Sequence, residues 1–191
     1  MSHSCLNFLK LGTGSGERSI AVRRDEGAAP GVFWMGGFKS DMKGTKAEAL
    51  AQWARENGRS CLRFDYSGHG ESSGDFTEVL MWQRFPAKIR QEIATEGVWH
   101  RPSDYGEPFP ITRGLIEDGR KHLLLGGMIE TGCPVRILQG VQDPDVPWNH
   151  AVALTSRLAQ DDVVLTLVKD GDHRLSRPED LERLMRAVAE F

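Results

Sequence analysis

Hydrophobic positions along the chain fall into short runs of strand length and stretches of helical period, in two arcs separated by a middle third that follows neither rhythm. Leu6 to Leu11 and Arg18 to Arg23 read as two strands, and the turn between them, Gly12 to Gly16, has the glycine content of a hairpin loop. Gly31 to Met35 is a short apolar run ending in Gly36-Gly37; after it, Lys46 to Glu56 places Ala47, Leu50, Ala51 and Ala54 on one helical face, with Gly58 as the stop. Ser60 to Tyr66 reads as a second buried strand, leading into the glycine-rich loop Ser67 to Gly74. From Val79 to Glu130 the pattern predicts helix-like pieces, Pro86 to Glu96 and Ile111 to Leu125, around a proline-rich loop with no buried strand, as in a cap or connecting region. The rhythm then resumes with strand Val135 to Gln139, helix Asn149 to Leu158, strand Val163 to Val168 and helix Pro178 to Glu190. Alternation of this kind predicts an α/β fold with a mostly parallel sheet and flanking helices. With no repeat, low-complexity tract or linker, residues 1–191 read as one domain in which 79–130 form the cap.

Composition narrows the function classes. Hydrophobic residues make up 39% and charged residues 27%, enough for a packed core and against wholesale disorder. The net charge of −3 provides no basic footprint, which argues against a nucleic-acid or anionic-membrane partner. No apolar run approaches the ~20 residues of a bilayer span, and Met1 to Lys10 is too short and polar for a signal peptide, so the expected location is cytoplasmic. Cys5, Cys61 and Cys133 lie far apart, are odd in number and form no CxxC pair; they read as buried small hydrophobes rather than a disulfide framework or zinc site. The Gly12–Gly16 loop is no phosphate loop, because Glu17 stands where the lysine belongs.

Ligand sites in open α/β sheets form beyond the carboxyl ends of the strands, here after Met35, Tyr66, Gln139 and Val168. The loop after Gln139 carries Asp143 and Asp145; the loop after Val168 carries His173. An acid loop followed by a histidine loop suits a carboxylate that fixes an imidazole's tautomer, with Asp143 as acid and Asp145 as its competitor. Taken singly, these aspartates also read as turn formers beside Pro144, and His173 as a surface loop residue.

Four ordered motifs carry a family resemblance: Trp34-Met35-Gly36-Gly37-Phe38-Lys39-Ser40-Asp41-Met42-Lys43-Gly44-Thr45-Lys46, Arg63-Phe64-Asp65-Tyr66-Ser67-Gly68-His69-Gly70-Glu71-Ser72-Ser73-Gly74, Gly140 to Trp148, and Asp170-Gly171-Asp172-His173-Arg174-Leu175-Ser176. They resemble the branch of the α/β-hydrolase family that includes the mitochondrial acyl-glucuronide esterase and palmitoyl-protein thioesterase. The resemblance spans nearly the whole chain and implies a serine-type hydrolase of carboxylic esters or thioesters that needs no cofactor and no metal. It further implies that the Phe38 amide, in a loop opened by Gly37, donates to the oxyanion, that Asp143 orients the imidazole, and that His173 moves the proton.

One family element is missing. The nucleophilic serine belongs on a strand-to-helix elbow with the pattern Gly-x-Ser-x-Gly, and only Gly70-Glu71-Ser72-Ser73-Gly74 matches. The preceding strand ends near Tyr66, too early for a tight elbow, so Ser72 competes with a reading in which Ser72 and Ser73 hold the loop by bonds to backbone. After Gly74 the chain runs from Asp75-Phe76-Thr77 directly toward the middle region, an apparent omission of very roughly 60 residues, the size of two helices and two strands. Such a loss would leave Gly31 to Met35 and Val135 to Gln139 without sheet neighbours and favour self-association through exposed edges. The nucleophile is therefore unassigned, Ser40 and water being further options, and the alternative is a noncatalytic remnant that binds a partner or folds unstably. Trp82, Phe85, Trp99, Tyr105 and Phe109 concentrate aromatic area in the middle region, as core or as the roof of an acyl pocket.

Overall fold

In a computed structural model the structure describes residues 4–37, 40–74, 86–103, 106–119, 124–158 and 162–191. Phe38, Trp82, Phe85 and Tyr105, singled out above, lie outside the described residues. The chain forms two compact units, Met1–Leu123 and Leu124–Phe191.

The first unit opens with β1 (Cys5–Leu11) and β2 (Arg18–Asp25), antiparallel across the predicted glycine turn. Gly12 there has φ +79°, and a Cβ on it would lie 2.8 Å from the Gly16 carbonyl oxygen, so the turn requires glycine. Strand β3 (Ala28–Met35), helix α1 (Thr45–Glu56) and β4 (Arg59–Phe64) make a parallel β-α-β unit, and β2 pairs antiparallel with β4 to give the order β1-β2-β4-β3. Ala47, Leu50, Ala51 and Ala54 are all buried, as the periodicity of α1 predicts; Ala51 and Ala54 pack on Cys61 with Val32 and Trp53 beside them. Only Cys61 of the three cysteines is buried. Cys5, on the outer strand β1, and Cys133 are exposed, which corrects the reading of all three as core residues. Burial pushes the Cys61 thiol pKa up, as expected of an inert structural thiol.

Strand β3 ends the sheet, and its Phe33 and Met35 are 57% and 61% exposed. A ladder of rings runs from it across the sheet: Phe33 stacks on Phe64 at 5.5 Å, and Phe64 meets Tyr66 edge-on at 4.8 Å.

The middle region departs from the sequence reading. Helix α2 (Ala87–Glu96) occurs as predicted, but β5 (Val98–Ser103) and β6 (Gly106–Thr112) then form an antiparallel hairpin before α3 (Arg113–Gly119). The helix expected from Ile111 therefore starts two residues later. Pro102, Pro108 and Pro110 hid the hairpin: proline deletes a ladder donor and argues against a central strand, yet in a two-stranded ribbon every strand has a free side where the missing N–H costs nothing. Ile93, Ile111, Leu115 and Ile116 form the local core, and Trp99 packs against it as a core residue.

The second unit is a parallel pair, β7 (Val135–Gly140) and β8 (Val163–Val168), with α4 (Trp148–Arg157) between them in sequence and α5 (Pro178–Ala189) after them. All four elements lie within two residues of their predicted bounds. Proline in the first turn of α5 costs no hydrogen bond there, which makes the start of that helix sharp.

Candidate active site

The acid and histidine loops leave the carboxyl ends of the paired strands β7 and β8, which brings residues thirty apart in sequence together. Two glycines allow the approach. A Cβ on Gly140 would lie 2.3 Å from the Asp172 carbonyl oxygen, and one on Gly171 would lie 3.1 Å from Gly140 Cα. The loops are also joined through backbone: the amides of Val141 and Gly171 both donate to the Val168 carbonyl, and the Gln142 amide donates to the Gly171 carbonyl at 2.9 Å. Asp143 and His173 each follow this crossing by two or three residues, so its rigidity sets their separation.

His173 Nδ1 lies 2.9 Å from Asp143 Oδ2. A carboxylate only accepts, so Nδ1 carries the proton and Nε2 is the nitrogen left to exchange one with a substrate. Asp143 is itself held on every side. Its Oδ1 accepts the amides of Asp145 and Val146, both at 2.8 Å, and its Oδ2 also accepts Gln139 Nε2 at 3.3 Å. Burial, the largest single influence on this carboxyl, opposes its charge; the Val146 amide, the His173 hydrogen bond and the Asp145 amide together outweigh it and hold the pKa below the ordinary carboxylate value. The side chain of Asp143 is 5% exposed and that of His173 45%, the arrangement expected of a buried orienting acid and an accessible base.

Of the two aspartates, Asp143 meets the imidazole, and the Asp145 backbone amide donates to Asp143. Asp143, Asp145 and His173 present possible ligand atoms within 4.8 Å of one another. A cation there would have to displace the hydrogen bonds that already fill both Asp143 oxygens, so the donor set fits imidazole orientation better than metal binding.

Ser72 belongs to the first unit. Strand β4 pairs with β2 only over Val22–Asp25, and beyond that point the β2 amides are taken by the glycine-rich loop. The Ser72 hydroxyl accepts the Ala21 amide at 2.8 Å and donates to the Asp65 carbonyl at 2.7 Å; the Ser73 hydroxyl accepts the Ser19 amide at 2.7 Å. Both serines hold the loop by bonds to backbone. Ser72→Ala is accordingly expected to cost about 1–3 kcal/mol by stranding the Ala21 amide, while leaving any turnover per folded molecule unchanged; denaturant melts alongside an ester assay check both.

The Gly37 carbonyl accepts the Ser40 amide at 3.0 Å, and among the described residues a Cβ on Gly37 would meet nothing within 4 Å.

No protein-family model matches the chain. The solved structure of mouse alpha/beta hydrolase domain-containing protein 10 superimposes with a TM-score of 0.84 at 26% identity over 98% of both chains. That of a protein from Agrobacterium vitis S4, assigned as a hydrolase, superimposes with a TM-score of 0.91 at 35% identity over 99% of both. The chain belongs to the α/β-hydrolase family. Among curated relatives of this α/β hydrolase, the bovine mitochondrial palmitoyl-protein thioesterase ABHD10 is 27% identical, the match taking in 89% of this chain and 75% of the relative. That alignment runs over 230 residues, whereas 89% of 191 is about 170, so about 60 of its positions are not matched by this chain. More distant, the ferulic-acid-bound Est1E of Butyrivibrio proteoclasticus shares the fold, with a TM-score of 0.67 at 18% identity. The curated relatives are named as mitochondrial, where the composition of this α/β hydrolase suggested the cytoplasm; among its described residues no helix is long and apolar enough to cross a membrane.

Proposed function

We propose that this α/β hydrolase is by class a serine-type hydrolase of carboxylic esters or thioesters, with Asp143 as orienting acid and His173 as general base, and that its turnover is impaired for want of an elbow serine. The observation that carries the reading is the His173–Asp143 hydrogen bond at 2.9 Å, made to a carboxylate whose other bonds leave it one orientation. In the reaction, neutral His173 takes the proton of the attacking hydroxyl or water at Nε2, Asp143 stabilises the resulting imidazolium, and the proton passes to the leaving group. By the family resemblance, Gly37 and the Phe38 amide are the oxyanion side of the same reading. Thioesters enter as substrates because the curated relatives are named palmitoyl-protein thioesterases.

A second reading, a noncatalytic remnant that binds a partner, is favoured by one observation: both bonds of the Ser72 hydroxyl are committed to backbone, so the lone Gly-x-Ser-x-Gly match supplies no free nucleophile. The two readings separate in one experiment. Turnover of a short-chain p-nitrophenyl ester and of an acyl thioester is measured against His173→Ala, at several protein concentrations because β3 ends its sheet among the described residues and an end strand is a template for association. A fluorophosphonate probe tests for an activated serine. The expected result is slow hydrolysis that vanishes in His173→Ala and leaves the protein largely unlabelled. Turnover no higher than that of His173→Ala sinks the catalytic reading.

A further inference from the structure

The loop that carries His173 leaves β8 at Val168 and reaches α5 at Pro178, and one side chain holds both of its feet. Arg177 Nη1 and Nη2 donate to Asp170, at the start of the loop, at 2.7 and 3.3 Å. Its Nε and Nη2 donate to Asp180, in the first turn of α5, at 2.8 and 3.0 Å. The Asp180 side chain is 1% exposed and also accepts Arg183 Nη1 at 2.9 Å, so the helix foot is an anchored carboxylate rather than a wandering surface charge. Both carboxylates are held below the ordinary pKa, in each case chiefly by the Arg177 hydrogen bonds. Between the feet, Asp172 Oδ1 accepts the amides of Arg174 and Leu175, and Leu175 is held at φ +43°, a left-handed conformation that a leucine adopts only when its surroundings impose it.

We infer that Arg177 is a positioning residue for His173, closing the loop so that the imidazole stays on Asp143. The inference rests on the acid–base pair proposed above. A planar guanidinium that forks to two carboxylates at once fixes their separation, which a flexible ammonium would not do. Asp170 is 69% exposed, and a pair so open to water contributes little to stability. The Asp170 fork should therefore show in where the loop sits more than in how firmly the protein folds.

The test compares Arg177→Met and Arg177→Lys with the parent protein, with Arg186→Met as control because Arg186 pairs with Glu182 on the exposed face of α5. The primary readout needs no turnover: the downfield proton resonance of His173 Nδ1–H, assigned by its loss in His173→Ala. In Arg177→Met this proton is expected to exchange with water at least about tenfold faster, with partial rescue in Arg177→Lys and no change in Arg186→Met. Where hydrolysis is measurable, kcat is expected to fall about ten- to a hundredfold with KM unchanged. Should Arg177→Met fail to melt cooperatively, Asp170→Asn carries the test, since it frees only the exposed foot and leaves the Asp180 anchor in place. A resonance as slowly exchanging in the variant as in the parent overturns the inference. A resonance that responds in a protein without turnover supports the positioning role while the proposed activity falls.

Discussion

Gly70→Ala is expected to destabilise the N-terminal unit by about 3–5 kcal/mol, among the largest effects of any single methyl added to this chain. Two costs coincide. Gly70 has φ +49°, where any residue with a Cβ is strained, and the added carbon would sit 2.1 Å from Asp65 Oδ2 and 2.4 Å from its Cγ. The carboxylate has nowhere to retreat. It is 1% exposed, with Oδ1 accepting the Met42 amide at 2.7 Å and Oδ2 accepting the Glu71 amide at 2.8 Å, so moving it strands buried donors on two segments. The Asp65 carbonyl also accepts the Ser72 hydroxyl, so the damage should spread to the serines that finish the β2 edge. In calorimetry this corresponds to a midpoint lowered by roughly 10 °C or more, whereas Gly114→Ala, in α3 with nothing within 4 Å of its Cβ, should be neutral or slightly stabilising. A Gly70→Ala protein melting within about 2 °C of the parent would show that the loop can yield and that Asp65 is not its keystone.

The predictability of this chain varies with the range of the physics involved. Helix α1 was legible because Ala47, Leu50, Ala51 and Ala54 share one face by spacing alone, and α5 because its pattern begins at Pro178, a residue suited to a first helical turn. The backbone-holding reading of Ser72 followed from its distance beyond the end of a strand, a local criterion. Hairpin β5–β6 was not legible, since its three prolines are forbidden or harmless according to whether a third strand lies alongside, and that is a tertiary fact. Asp143 was already preferred to Asp145 from the order of the acid and histidine loops; what the sequence did not carry is the contact itself, which depends on a close approach of backbone at Gly140 and Gly171, where each glycine alone reads only as a turn former. Arg177 was missed for a similar reason: its partners Asp170 and Asp180 lie seven and three residues away on opposite sides, and only the fold of the loop brings both carboxylates to one guanidinium.

Asp143→Asn is expected to abolish the hydrolysis that depends on His173, by roughly three to four orders of magnitude or down to the His173→Ala baseline, while the unit stays folded. The substitution keeps shape and removes only the charge and one acceptor. The asparagine oxygen can still take the Asp145 and Val146 amides in place of Oδ1, which leaves the NH2 group where Oδ2 stood, facing His173 Nδ1 and Gln139 Nε2. Two donors then confront each other, and the imidazole answers by moving its proton to Nε2 so that Nδ1 accepts. In that tautomer the nitrogen that should receive a proton from the attacking group already carries one, and no buried carboxylate remains to stabilise the imidazolium. The loss should therefore fall on kcat with KM little changed, and a pH profile should not rescue it, because raising the pH does not return the proton to Nδ1. Nitrogen-15 shifts of the His173 ring would report the tautomer directly and without any turnover. Retention of the Nδ1–H form in Asp143→Asn, or hydrolysis within tenfold of the parent, would mean that Asp143 is a turn-forming residue beside an ordinary loop histidine.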